Sequence, residues 1–205
     1  REKAAKTVSR RVEKELATLK MPNTRCQVRL EAIPAEKNLS HHLKIDGRAL
    51  TETGLEHAAF MIAPNVGESL KPLSDIASGG ELSRVVLALK AILAGNDAVE
   101  TVVFDEVDAG IGGGAAEVVG KKLSALAGVH QVVCITHLPQ IAKFGNAHFR
   151  ISKQVHNGRT KTVIHHLDED GRVQEVARML GGEKITPKTL AHAREMLADA
   201  GGGGQ

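Results

Sequence analysis

Two short apolar runs with a helical stretch between them constrain the fold of this chain more than any other feature. The runs are 101–104 and 131–135, and apolar residues recur at helical spacing over 115–126. A short helix is predicted after Pro139. Strand, helix, strand and helix in this order are typical of a buried parallel sheet covered by helices. We therefore predict a fold of the α/β class with a mostly parallel sheet.

The first apolar run ends in two acids, Asp105 and Glu106. Ligands of open α/β sheets gather at the carboxyl ends of the strands, so both carboxylates are expected at a binding site. The run resembles a Walker B strand, in which Asp105 would help hold Mg²⁺ through water. Glu106 would then orient or deprotonate the water that attacks a γ-phosphate. Adjacent acids also follow strands by chance, and that alternative stays open.

The second run ends in Thr136 and His137. At the same sheet edge, His137 is a candidate to hydrogen-bond a γ-phosphate and report its presence. A single histidine at a strand end is, however, more often structural. Asp108 precedes a glycine-rich loop, so its side chain is predicted either to lie exposed beside the site or to form an ordinary turn.

The start of a predicted helix supplies a further candidate site. Ser78, Gly79, Gly80 and Glu81 open a stretch in which apolar residues recur at helical spacing. Unpaired backbone N–H groups and the helix dipole favour a bound anion there, and glycines let a phosphate approach closely. An ordinary N-cap with a permissive turn is the simpler interpretation of these residues taken alone.

The first twenty residues predict an amphipathic helix that Pro22 ends, with Val8, Val12, Leu16 and Leu19 on its apolar face. This helix is either the end of a longer coiled-coil arm or an ordinary surface helix. The remaining predicted elements are strands 25–33, 39–45 and 56–63, a loop over 65–78, a hairpin of 147–155 and 160–167 joined through Asn157-Gly158, and two final helices, the last with Thr186 and Pro187 at its start.

Composition excludes some classes of protein. The 205 residues suffice for one substantial domain, and no run of eighteen apolar residues is present to cross a membrane. The opening residues lack the basic-then-apolar pattern of a secretory signal, so we expect a cytosolic protein without membrane contact. A formal net charge of +3 permits contact with nucleic acid without establishing it. Cys26 and Cys134 are expected to be free, buried thiols.

Together, these motifs resemble the C-terminal lobe of an SMC-like, ABC-type ATPase head over about residues 64–182. The segments 76–84, 104–111 and 136–142 are similar to the RecN family of bacterial DNA-repair ATPases, and the run Thr-His-Leu-Pro-Gln favours RecN over SMC proteins. Transporter ATPases usually carry Leu-Ser-Gly-Gly-Gln. Here Ala77 precedes Ser78 and Glu81 follows Gly80, which departs from the transporter pattern.

The resemblance implies ATP and Mg²⁺ as ligands, with Asp105, Glu106 and His137 serving the nucleotide of their own head. The segment 78–81 would act in trans on the nucleotide of a second head, and Asp108 would lie at the seam of this homodimer. No Gly-x-x-x-x-Gly-Lys-[Ser/Thr] loop occurs in the chain. The implied partner is therefore an N-terminal Walker A lobe of the same protein, without which this lobe is expected to be inactive.

The resemblance also implies a role in DNA double-strand-break repair and recombination, with double-stranded DNA and its ends as partner, in the bacterial cytoplasm at the nucleoid. The implied organisation is the end of a coiled-coil arm over 1–21, the head lobe over 22–200 and a flexible tail over 201–205. Two alternatives stay open. One is a head lobe of another SMC-like chromosome ATPase, and the other is a non-catalytic docking lobe.

Overall fold

The structure is a computed structural model that describes residues 1–93, 98–156 and 159–201. The chain divides into two compact units, Arg1–Leu93 and Ala94–Gln205. The helices and strands of the first unit are α1 (Glu2–Thr18), β1 (Arg25–Ala32), β2 (Lys44–Ile45), β3 (Arg48–Ala49), β4 (Glu56–Ala63), β5 (Lys71–Pro72) and α2 (Gly79–Leu93).

An antiparallel sheet in the order β1-β4-β5 organises the first unit. Strands β1 and β4 pair along their whole length, from Arg25 with Ala63 to Ala32 with Glu56. Helix α1 covers the outer edge of β1, because Glu13 accepts a hydrogen bond from the Cys26 N–H (2.8 Å) and Ser9 accepts one from the Val28 N–H (2.9 Å). These side chains satisfy edge-strand donors that would otherwise lack partners.

The predicted apolar face of α1 is confirmed, since Val12, Leu16 and Leu19 are fully buried. The helix ends at Thr18, and Lys20 then adopts a left-handed backbone conformation (φ 64°) just before Pro22. Whether 1–21 is the end of a coiled-coil arm stays a prediction.

Strands β2 and β3 form a small hairpin whose turn is Asp46-Gly47. Both turn residues have positive φ (49° and 75°), as a two-residue turn between twisted strands requires. The prediction of a strand over 39–45 was only partly right, because a 3₁₀ turn occupies His41–Leu43 and the strand begins at Lys44. The predicted loop 65–78 likewise contains the short strand β5 and a 3₁₀ turn at Leu73–Asp75.

The second unit has the predicted alternation of strands and helices. Its elements are β6 (Thr101–Phe104), α3 (Gly113–Leu126), β7 (Gln131–Cys134), α4 (Pro139–Ala142), β8 (Phe149–His156), β9 (Arg159–His166), α5 (Glu169–Gly181) and α6 (Pro187–Gly201). Strands β6 and β7 pair in parallel, with Thr101 opposite Gln131 and Phe104 opposite Cys134. This confirms the α/β class, but the other ladders among the described strands are antiparallel, so parallel pairing is limited there to this one pair.

Strands β8 and β9 form the predicted antiparallel hairpin, and their turn, Asn157-Gly158, lies outside the described residues. Helices α5 and α6 pack on each other through Val176, Ala177 and Ala193. Thr186 caps α6 by accepting a hydrogen bond from the Thr189 N–H, as predicted. Residue 201 ends α6, and the rest of the predicted tail lies outside the described residues. Of the helices described, none is long and apolar enough to cross a membrane.

Candidate functional site

The chain turns sharply where β6 ends, and this turn presents two carboxylates. Asp105 and Glu106 are exposed, whereas Val107 behind them is fully buried. The Glu106 N–H donates to Asp105 Oδ1 (2.9 Å), and the Glu106 carbonyl accepts from the Ala109 N–H (2.9 Å). The predicted acids therefore lie at the carboxyl end of a parallel strand.

Glu106 has φ of +56°, in the left-handed region that non-glycine residues rarely adopt. Backbone of this kind costs on the order of 1–3 kcal/mol and is found most often at functional sites. Val107 and Asp108, which follow Glu106 directly, are both buried. The strained turn thus carries an exposed Glu106 side chain.

The end of β7 brings further polar groups to the same edge. The Ile135 N–H donates to the Phe104 carbonyl (2.9 Å), which continues the hydrogen bonding between the two strands beyond the paired residues. Thr136 and His137 follow immediately. One oxygen of Asp108, Oδ2, accepts from Thr136 Oγ1 (2.6 Å), from the His137 backbone N–H (3.0 Å) and lies 2.9 Å from His137 Nδ1.

The structure therefore joins Asp108 and His137, which the sequence treated as separate candidates. The Asp108 side chain is only 6% exposed, so the prediction that it lies exposed beside the site was wrong. The reason is that its carboxylate turns inward, where it accepts hydrogen bonds from the Thr136 hydroxyl and the His137 backbone N–H and lies against His137 Nδ1. The His137 side chain is 76% exposed, with Nδ1 towards Asp108. The ring is thus anchored at one nitrogen and accessible from solvent.

Sequence reasoning missed Thr136 as a member of this cluster. Its hydroxyl accepts from the Leu138 N–H (3.1 Å) and donates to Asp108, so it ties the turn after β7 to the turn after β6. The signal available in the sequence was its position directly before His137 at the end of a strand. A hydroxyl there can bond both the local backbone and a neighbouring loop.

The electrostatics of the cluster are visible at Cys134, the last residue of β7. Burial, together with the negative charges of Asp108 and Asp105, raises the pKa of the Cys134 thiol to about 12. Both cysteines are free, as predicted, and Cys134 is half-buried rather than fully buried. Asp105 and Asp108 thus place negative charge near the end of β7.

A magnesium ion would fit this edge with a single carboxylate as its protein ligand. Among the described residues, no group of three or more His, Cys, Asp or Glu side chains could hold a metal by itself. Mg²⁺ in phosphate chemistry usually takes only one or two carboxylates and fills its octahedron with water and phosphate oxygens. The exposed carboxylate of Asp105 suits that mode of binding.

The remaining predicted residues, 78–81, lie in the first unit at the start of α2. Ser78 caps the helix, because its carbonyl accepts from the Leu82 N–H (3.0 Å) and its hydroxyl lies 3.4 Å from the Glu81 N–H. Ser78 and Gly79 are exposed, whereas Gly80 is buried. Ser78 therefore serves as an ordinary N-cap, and the N-terminus of α2 is also accessible from solvent.

The chain resembles known proteins in both sequence and fold. It is 46% identical over 173 residues to the DNA repair protein RecN of Xylella fastidiosa, which covers 84% of this chain and 29% of the relative. It is 38% identical over 198 residues to RecN of Bacillus subtilis, covering 96% of this chain and 34% of the relative. The chain therefore spans about a third of the length of these relatives. No protein-family model matches it.

Among solved structures, the chain is similar to an Smc head domain with a coiled coil and joint from Pyrococcus yayanosii. The TM-score is 0.53 at 16% identity, covering 89% of this chain and 30% of that one. The fold of the chain is therefore that of part of an SMC-type head domain. Within that class, the chain belongs to the RecN family and carries the motifs of the C-terminal lobe of its head.

Proposed function

We propose that this chain completes an ATP-hydrolysing site together with a Walker A lobe of the same protein, and that the assembled protein acts in DNA double-strand-break repair and recombination. One observation carries the proposal. Asp105, Glu106 and His137 lie at the carboxyl ends of two adjacent parallel strands, and Asp108 joins the two turns that bear them. This is the edge at which open α/β sheets bind nucleotides.

Each residue has a distinct role in the proposed reaction. Asp105 holds Mg²⁺, which supplies charge neutralisation at the phosphates when bound. Glu106 orients the attacking water and accepts its proton, and its strained backbone keeps the carboxylate extended towards that water. His137 senses the γ-phosphate through the exposed side of its ring.

Residues 78–81 act on a second nucleotide in our proposal. The exposed N-terminus of α2 offers backbone N–H groups to the γ-phosphate bound by another head, so that ATP is held between two heads. Release of phosphate removes this contact and lets the heads separate. In this proposal Asp108 lies near the contact between the two heads, although its carboxylate is buried within its own lobe.

An open apolar face supports the requirement for a second lobe. On the parallel pair β6–β7, Val102 and Phe104 are buried, whereas Val103 is 63% exposed and Val133 46%. Ile135, one residue beyond β7, is 50% exposed. Parallel sheets are covered on both faces in nearly all proteins. We assign this open face to the Walker A lobe, which would then bring its phosphate-binding loop to Asp105 and Glu106.

The DNA role rests on the relatives, whose names identify them as DNA repair proteins. In this proposal, head engagement driven by ATP is coupled to the holding of double-stranded DNA or its ends, in the bacterial cytoplasm at the nucleoid. The helix α1, with its wide charged face, would lead into the arm that transmits this coupling.

Glu106→Gln in the head assembled with its Walker A lobe tests the catalytic assignment. Loss of a general base typically lowers turnover by about 10²–10⁴-fold. We expect that loss with ATP-dependent pairing of heads retained, measured by phosphate release and by sedimentation. Glu183→Gln, at an exposed acid beyond α5, should leave both unchanged. Unaltered turnover in the Glu106 variant would remove this residue from the mechanism.

Ser78→Arg tests the assignment in trans. The added bulk at the exposed start of α2 should abolish pairing of assembled heads, while binding of ATP to a single head changes less than about twofold. Ser69→Arg, on an exposed loop before β5, is the matched control. Normal pairing by the Ser78 variant would show that 78–81 do not contact a second nucleotide.

The dependence of ATPase rate on protein concentration separates this proposal from a docking lobe without catalytic residues. ATP sandwiched between two heads predicts a rate that rises more steeply than linearly with the concentration of assembled heads. The chain without a Walker A lobe should be inactive in either case. Absence of activity in the assembled head under all conditions would favour the docking lobe.

A further inference from the structure

We propose that Asp108 is a positioning residue for His137, which fixes a hydrogen on ring Nδ1 and leaves Nε2 as the nitrogen that faces the nucleotide. This inference rests on the proposed function for its consequence in catalysis. Its structural content concerns only one carboxylate and one imidazole, which lie 2.9 Å apart.

Two fixed donors establish that Asp108 Oδ2 acts as an acceptor. The backbone N–H of His137 can only donate. The Thr136 hydroxyl accepts from the Leu138 N–H at 3.1 Å, so its own hydrogen is directed to Oδ2 at 2.6 Å. Because Oδ2 accepts hydrogen bonds from these two donors, it belongs to an ionised carboxylate and also acts as an acceptor in its contact with the imidazole. Nδ1 must therefore carry the hydrogen of the contact.

The carboxylate is also held from its own side. Val107, next to Asp108, is fully buried, and the Asp108 carbonyl accepts from the Ile111 N–H (3.2 Å). The Asp108 side chain is 6% exposed, so water does not compete freely for its oxygens. Asp108, in the turn after β6, therefore sets the orientation of the His137 ring. Glu106 lies in the same turn.

The hydrogen on Nδ1 determines what His137 can do at its exposed nitrogen. In the neutral ring Nε2 has only a lone pair, so it accepts a hydrogen bond, as from the attacking water. A phosphate oxygen is itself an acceptor. Direct contact with the γ-phosphate is therefore made only by the doubly protonated ring, whose charge Asp108 balances. Asp108 thus sets which ligand group each protonation state of His137 recognises.

Nitrogen-15 NMR of the histidine side chains in this chain alone tests the proposal without nucleotide. The His137 signals are assigned through their loss in His137→Gln. We expect Nδ1 to show the protonated shift and Nε2 the unprotonated shift in the neutral ring. Asp108→Ala should reverse this pattern to the Nε2–H tautomer that free histidine favours. Asp108→Asn keeps an acceptor oxygen and should retain the Nδ1–H tautomer.

Two results of the NMR experiment would overturn the inference. One is an Nε2–H tautomer in the parent chain, and the other is an unchanged Nδ1–H tautomer in a folded Asp108→Ala variant. If that variant does not fold, Thr136→Val and Asp108→Asn are two milder single substitutions, and each keeps an acceptor oxygen at position 108. Loss of the Nδ1–H tautomer in either folded variant would contradict the proposal.

Turnover of the assembled head provides the functional arm. Asp108→Ala should lower kcat by on the order of tenfold or more with KM for ATP nearly unchanged, as for other groups that orient a catalytic side chain. A change confined to KM would contradict positioning. Absence of ATP hydrolysis by the assembled head would refute the proposed ATPase role instead, and the tautomer result would be unaffected by it.

Discussion

Gly120 of α3 lies directly against the ring of Phe144, which follows α4. A Cβ added at Gly120 would approach Phe144 Cε2 to 2.8 Å and the Gln140 carbonyl oxygen to 3.0 Å. Lys143 strengthens the same contact through an ion pair with Glu117 of α3 (2.8 Å). Because α4 begins two residues after His137, this packing helps fix the segment that bears the imidazole.

Gly120→Ala is therefore expected to destabilise the chain by about 1–3 kcal/mol, the usual cost of overpacking a buried contact. The measurement is the urea midpoint of the second unit's unfolding. Gly114→Ala is the matched control, because a Cβ at Gly114 meets nothing within 4 Å. Equal stability of the two variants would contradict the tight approach of α3 and the 140–144 segment.

Glu106→Gly should stabilise the folded chain by about 1 kcal/mol even as it removes the carboxylate, because glycine adopts positive φ without the steric cost that Glu106 bears. Chemical denaturation measures the change. Glu106→Gln keeps the strained backbone and should differ from the parent by less than about 0.5 kcal/mol. A Gly variant that is less stable than the Gln variant would argue against strain at this turn.

The two thiols are expected to be unreactive in the folded chain. Burial raises the pKa of Cys26 to about 11, with Glu13 adding to the rise, and the pKa of Cys134 is raised to about 12. Since the thiolate is the reactive form, a disulfide reagent at about pH 8 should modify the folded chain far more slowly than the unfolded chain. Rapid modification of either folded thiol would contradict this.

The same shifts set a pH dependence of stability. Both folded-state pKa values lie above the ordinary value of 9.0, so the folded chain retains protons that the unfolded chain loses. The associated stabilisation is complete below about pH 9 and declines as the pH rises through about 11 to 12. Cys26→Ala should make the stability decline less between about pH 9 and about pH 12, and urea midpoints measured across this pH range check it.

Arg178→Ala should destabilise the second unit by about 1–3 kcal/mol, because it removes the main hydrogen-bond partner of the buried Glu175 carboxylate. Burial acts to raise the pKa of Glu175, but the hydrogen bonds and charge of Arg178, with Arg150 and His148, outweigh it and hold that pKa below its ordinary value. Ionised Glu175 therefore contributes to the stability of the folded chain above the pKa that this carboxyl has in the unfolded chain. The contribution is lost as the pH falls through the lower pKa of the folded chain. Lys188→Ala, at an exposed position, should have no such effect.

The elements that the sequence predicted well are those whose signal is local. Strand β4 was predicted at its observed bounds because an apolar run ends at Pro64. The turn at Asp46-Gly47 was predicted because few other pairs accept two positive φ values. The strand over 39–45 was overextended, since His41 and His42 interrupt the alternation and β3 offers only a two-residue partner.

The sequence predicted the site residues and their common edge of the sheet, but not the contacts between them. Its acids and histidine follow apolar runs, which a single sequence reveals. The burial of Asp108 depends on donors from Thr136 and His137, 28 and 29 residues further along the chain, and no local pattern specifies that contact. The left-handed backbone of Glu106 likewise has no signal in the sequence, because the residue is not a glycine.

The open face of the β6–β7 pair has a consequence for how the protein is made. Exposed valine and isoleucine side chains on a sheet are sites of aggregation when their partner is absent. We therefore expect the chain produced alone to self-associate as its concentration rises, and co-production with its Walker A lobe to keep it dispersed. In the proposed assembly, this face stays exposed after synthesis until the Walker A lobe packs on it.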